Sequence, residues 1–244
     1  MSGDAFLRIR LGPALPDQDV SARDFREVLR NVGALGGIFS SPWSILSEDD
    51  SEPVRLDMPV ITDEAIRELI QPHVSKNEDG SALQALGFRV HLVGPFVGRS
   101  RARIQMHLGQ QHPSKAVPNS IVVSVEDVDF AGECRLDDTL GARGGEILRK
   151  LGDELDARDG GIYSRSASNA QGRRSPYPKI GAVTLLRREQ LDESSLKEPA
   201  DLTVSSWRHG VILTVNGQDS PSFEWTRISS VAEDLRLVGA LKES

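Results

Sequence analysis

The chain has 244 residues, a single cysteine and a formal net charge of −7, and 38% of its residues are hydrophobic. Counting the 22 glycines as apolar brings that fraction to about 47%, which excludes general disorder and is enough for a core that needs no disulfide or structural metal. Cys134 cannot form an internal bridge, and the opening Met1 to Leu11 shows no basic leader followed by an apolar stretch. No later run approaches the roughly 20 apolar residues of a membrane span, so a cytoplasmic protein away from the membrane is expected.

The expected elements begin with a half-buried strand, in which Phe6, Arg8 and Arg10 alternate with Leu7, Ile9 and Leu11 before Gly12-Pro13. Ser21 and Asp24 resemble a capping box, and Phe25, Val28, Leu29 and Val32 follow at helical spacing, with a stop at the Gly33 to Gly37 cluster. Ser40 to Pro59 reads as a surface loop, rich in serine, proline and acids, including Asp49 and Asp50, and pinned by Trp43. Thr62 predicts the N-cap of a short helix carrying Ile66, Leu69 and Ile70, which Pro72 should end.

Two runs then alternate with period two, Phe88 to Val93 and Arg101 to Leu108, and Ile121 to Val125 completes an antiparallel meander. Ile147, Leu148, Leu151 and Leu155 make one helical stripe, expected to end at Asp159-Gly160-Gly161. Ile180 to Leu186 reads as a strand, and Leu202 to Trp207 and Val211 to Val215 as a hairpin turned by Arg208-His209-Gly210. Ile228, Val231, Leu235 and Val238 close the chain as a helix. The order predicts one α+β domain over residues 1–244, a mixed and mostly antiparallel sheet with helices packed on it.

Charge is unevenly distributed. Gly80 to Val125 holds five basic residues and no acid, and Glu126 to Asp159 holds eleven acids against five bases. Such blocks often neutralise one another as solvated surface, but the acidic block also suits a basic partner. The overall negative charge argues against nucleic acid as the partner.

Chemistry is sparse. His91 and His107 are expected on the same polar sheet face, where His112 or a carboxylate could complete a metal or acid-base site. The plain reading of both is as solvated sheet histidines, and His73 and His209 are expected to be exposed. Gly33 to Gly37 lacks the Gly-Lys-Ser/Thr of a phosphate loop, and Gly141 to Gly145, read as opening a helix, is preceded by acids that repel anions. Glu126, Asp127 and Asp129 end a strand without the lysine spacing of a nuclease set, and Cys134 has no activating histidine nearby in sequence. No catalytic residue, metal or cofactor is therefore assigned.

The last hundred residues resemble the bacterial immunity proteins of polymorphic-toxin systems, in particular the family known as immunity protein fifty-two. The likeness rests on the helix Glu146 to Asp156, the Gly160-Gly-Ile-Tyr-Ser164 run, Pro178-Lys-Ile-Gly-Ala-Val-Thr-Leu-Leu186, the Glu189 to Leu196 segment, the Leu202 to Val215 hairpin and the closing helix to Leu241. Where typical members carry an aromatic residue after the strand-opening glycine, Ala182 follows Gly181 here. The resemblance implies a non-catalytic antidote that binds a cognate toxin, often nuclease-like and encoded directly upstream. The acidic residues Glu126, Asp127, Asp129, Asp137 and Asp138, the loop acids Asp49 and Asp50, and Trp43 as an anchor are the expected contact residues. An enzyme using His91 and His107, and a scaffold with a different partner, are the alternatives.

Overall fold

The computed structural model describes residues 5–13, 18–40, 42–46, 53–56, 62–76, 79–98, 100–111, 119–127, 136–172, 175–196, 201–217 and 224–243. The fold is α+β, with ten strands and five α-helices among those residues, in two compact units. Unit 1 comprises Met1–Ile9, Phe130–Asp153 and Ala157–Ser244, and unit 2 comprises Arg10–Asp129 and Glu154–Asp156. Strand β1 (Ala5–Leu11) passes from the first into the second.

Unit 2 contains helix α1 (Gln18–Gly33), strands β2 (Trp43–Ile45) and β3 (Val54–Leu56), helix α2 (Asp63–Ile70), and strands β4 (Phe88–Val93), β5 (Ser100–Leu108) and β6 (Ser120–Asp127). The strands lie in the order β3-β2-β4-β5-β6, each pair antiparallel. Strict alternation gives this sheet its two faces: Ala102, Ile104, Met106 and Leu108 are buried, and Gln105 between them is exposed. Phe25, Val28, Leu29 and Val32 of α1 and Ile66 and Ile70 of α2 join the apolar face as the core of the unit.

Thr62 caps α2 as expected, its hydroxyl accepting from the Ala65 amide at 3.2 Å. Helix α1 begins at Gln18, so Ser21 is a buried residue of its interior and not its cap. The stretch read as one loop from Ser40 to Pro59 contains β2 and β3. Trp43 is 1% exposed and its ring lies beside Gly94, so it is core and offers no surface to a partner. Asn119 is also fully buried, yet satisfied: its side chain accepts from the Gln110 amide at 2.9 Å and donates to the carbonyls of Gln110 at 2.9 Å and Gly12 at 2.8 Å.

Unit 1 contains helix α3 (Leu136–Glu154), strand β7 (Ala157–Ser164), helix α4 (Arg165–Ala170), strands β8 (Val183–Arg187), β9 (Leu202–Trp207) and β10 (Gly210–Val215), and helix α5 (Trp225–Leu237). Its strands lie in the order β1-β7-β8-β10-β9, with antiparallel pairing from β7 to β9. Both faces are covered. On one, a Cβ on Gly152 of α3 would lie 2.8 Å from Leu185 and 3.2 Å from Trp207, so only glycine lets the helix approach this closely. On the other, Leu186, Val211, Leu213 and Val215 pack with Ile228, Val231, Ala232 and Leu235 of α5.

Three expected features move. Gly141 to Gly145 lies inside α3, which opens earlier at Leu136 with Asp137 and Asp138 in its first turn, where a helix favours acids. That helix ends at Glu154, followed by Asp156 at φ 47°, and Asp159-Gly160-Gly161 belongs to β7. Gly160 is there because a Cβ would meet the Arg8 carbonyl at 2.9 Å and Leu148 at 3.2 Å. Ser164 caps α4, a helix the sequence reading missed, by accepting from the Ala167 amide at 3.1 Å.

Candidate partner-binding surfaces

The β4-β5 register places Arg89 opposite His107 and His91 opposite Gln105. The two histidines therefore share the polar face of unit 2, as expected, but as diagonal neighbours with different surroundings. The Arg89 Nε donates to His107 Nε2. His107 must then be the neutral acceptor, and burial, the Arg89 charge and His91 lower its pKa from 6.5 to about 4. A lone pair already engaged by a guanidinium is a poor metal ligand, and the adjacent cation repels a metal ion. Among the described residues, no group of three or more His, Cys, Asp or Glu is placed to hold a metal, and His112 lies outside them.

The same register gathers basic residues that the linear sequence separates. One row across the sheet reads Arg55, Ser44, Val93, Arg103 and Ser124, and Arg101 stands opposite Glu126. Arg101 lays its guanidinium over the ring of Phe96, 4.8 Å from its centroid, and Phe96 is itself 53% exposed. The alternation from Arg101 to His107 announced a polar face. The contribution of Arg55 could not be read, because its strand lies in a segment with no periodic signal.

The expected acidic contacts fall on different elements. Glu126 and Asp127 end β6 in unit 2, and Asp137 and Asp138 open α3 in unit 1. Asp49, Asp50, Asp129 and Cys134 lie outside the described residues. His209 stands in the β9-β10 turn but is half-buried, its ring edge-on to Trp207 at 5.2 Å. The Trp207 indole donates to Asp153 at 2.9 Å, which ties the hairpin to α3.

No family model matches the chain, and no curated protein matches it. Among solved structures it is similar to the Pseudomonas aeruginosa T6SS protein PA0821, with 11% identity and a TM-score of 0.49, over 96% of this chain and 72% of that one. No helix among the described residues is long and apolar enough to cross a membrane.

Proposed function

We propose that this chain is a non-catalytic immunity-type protein that binds a cognate toxin domain, possessing a nuclease-like basic groove, and neutralises it by covering its active surface. The observation that carries this reading is the resemblance of residues 142–241 to immunity proteins of polymorphic-toxin systems. Of the segments quoted for that resemblance, the first helix lies in α3, the Gly160–Ser164 run in β7, the end of the Pro178–Leu186 run in β8, the hairpin in β9-β10 and the closing helix in α5, all elements of unit 1. The Arg89 contact to His107 weighs against the metal-enzyme alternative, since it engages the nitrogen that a metal would need.

The physical mechanism is occlusion. A groove shaped to bind phosphates is basic, and the acid-rich stretch from Glu126 to Asp138 would speed its encounter with the inhibitor. Such attraction weakens as the Debye length falls from about 10 Å at 0.1 M salt to about 3 Å at 1 M.

The test is co-expression with the C-terminal domain of the protein encoded directly upstream, scored by growth and by co-purification. Rescue with a stable complex is the expected result. Toxicity that persists with no complex formed overturns the reading. Charge reversal of Asp137 and Asp138 to lysine is expected to slow association at low salt, and an unchanged rate would remove these two residues from the interface.

A further inference from the structure

We infer that the outer edge of strand β9 in unit 1 pairs antiparallel with β9 of a second copy of this chain, in a register centred on Val204. This goes beyond the proposed function and does not depend on it, because the surface is read from the backbone pairing of unit 1 alone.

The register of β9 against β10 fixes which backbone groups are already committed. Asp201 and Asn216 continue the ladder beyond Leu202 and Val215, and the Asn216 amide donates to the Asp201 carbonyl at 2.8 Å, which makes them a hydrogen-bonded pair. Bonded and non-bonded pairs alternate along an antiparallel ladder, so Thr203, Ser205 and Trp207 also spend their backbone groups on β10. Leu202, Val204 and Ser206 point theirs the other way. Among the described residues β9 is the last strand of its sheet, and no other segment bonds the backbone of these three. The edge is accessible, with Thr203 and Ser206 exposed and Val204 and Ser205 half-buried.

Nothing in the composition of β9 guards this edge. Outer strands are commonly protected by a charge, a proline or short length, and β3, the outer strand of unit 2, has three residues, carries Arg55 and follows Pro53. Strand β9 has six residues, Leu-Thr-Val-Ser-Ser-Trp, with no charge and no proline. Helices cover both faces of its sheet, so the edge is where that sheet has backbone to offer.

The strand is complementary to itself, which selects the occupant. With a two-fold axis at Val204, that residue stands opposite its own copy, Leu202 opposite Ser206, and Thr203 opposite Ser205. This is the one register in which all three outward-facing residues of each copy are matched within β9, every such pair exchanging two backbone hydrogen bonds. Each of these side-chain pairs is neutral, so no like charges meet. The Thr203 hydroxyl donates to Asn216 Oδ1 at 2.9 Å and keeps its lone pairs for the Ser205 hydroxyl of the second copy. Val204, half-buried against the core that α5 covers, gains apolar cover from its own copy. A two-fold contact consumes both edges at once, so pairing stops at two copies.

The experiment measures the oligomeric state of the full chain by sedimentation equilibrium from micromolar to millimolar concentration. The parent is expected to be a reversible dimer. Ser206→Pro deletes an outward N–H that β10 does not use, so this variant should melt close to the parent while dimerising about tenfold more weakly. Thr203→Lys combined with Ser205→Lys sets lysines opposite one another across the two-fold contact and is also expected to weaken the dimer by roughly tenfold. Thr203→Glu combined with Ser205→Lys sets opposite charges across the same pairs, and its dimer should lie within about threefold of the parent.

A parent that stays monomeric throughout overturns the inference. A dimer that S206P and both charge variants leave equally tight also overturns it, since another surface would then hold the copies together. If S206P fails to fold, the two charge variants decide, because they differ only in the sign at residue 203, and equal dimer affinity for that pair is the overturning result. If the parent is monomeric and S206P weakens its complex with the upstream-encoded domain, the occupant is a strand of that domain and self-pairing is overturned while the proposed function stands.

Discussion

The sheets of the two units are built from opposite kinds of strand. In unit 1, Val183, Thr184, Leu185 and Leu186 are buried consecutively, as are Gly210 to Leu213, because α3 lies on one face and α5 on the other. In unit 2, β5 alternates buried and accessible residues along most of its length, with the described helices α1 and α2 contributing to the core on its apolar side. A sheet covered on both sides spends all its side chains on packing, and its surface roles fall to its edge, loops and helices. A sheet with helices on one side keeps the alternate side chains for other contacts.

That contrast is broken most severely from within the cores. Leu185→Ala and Leu213→Ala, on opposite faces of the unit 1 sheet, are each expected to cost about 2–5 kcal/mol in denaturant unfolding. In unit 2 the same loss is expected for Ile104→Ala, while Gln105→Ala next to it should stay within about 0.5 kcal/mol. Equal costs at Ile104 and Gln105 would mean that the two faces of β5 are packed alike. Gly152→Val is the next largest, about 1–3 kcal/mol by overpacking against Leu185 and Trp207, and near-ultraviolet circular dichroism of the tryptophans should change with it.

A smaller effect sharpens the description of the polar face. His107 titrates at about 4 in the folded chain against an ordinary 6.5, so the unfolded chain takes up its proton first as pH falls. The neutral histidine therefore contributes stability above pH 6.5 that is lost between pH 6.5 and about 4. Discounted for solvent screening of a half-exposed group, the loss is about 1–2 kcal/mol. His107→Gln should flatten that part of the stability profile, and an unchanged slope would remove the Arg89 contact from the account. The smallest expected effect is Thr62→Ala, about 1 kcal/mol from loss of the α2 cap, read from hydrogen exchange in the first turn of α2.

Legibility in the sequence followed the same division. The unit 2 meander was readable to within a residue or two because alternation marks a strand with one wet face, and Thr62 marked its helix because a cap is a local device. The Arg208-His209 turn was readable for the same reason. Unit 1 was harder. Strand β7 carries Asp159-Gly160-Gly161, which reads as a helix stop, yet the first two are there for packing with distant segments: Gly160 against Arg8 and Leu148, and buried Asp159 beside Gln190. Strands β2 and β3 have three residues each, too short for any period to appear. Of the expected contact residues, Trp43 misled because an aromatic residue among polar neighbours looks like a surface anchor when its burial comes from residues remote in sequence, such as Gly94. Register, which no single strand encodes, is what brings Arg55 into line with Arg103.

The Asn119 clamp also bears on register. Its three hydrogen bonds tie the residue before β6 to Gln110 and Gly12. The entry to β6 is thus pinned by one buried side chain as well as by the β5-β6 ladder, so its register has a second, independent anchor.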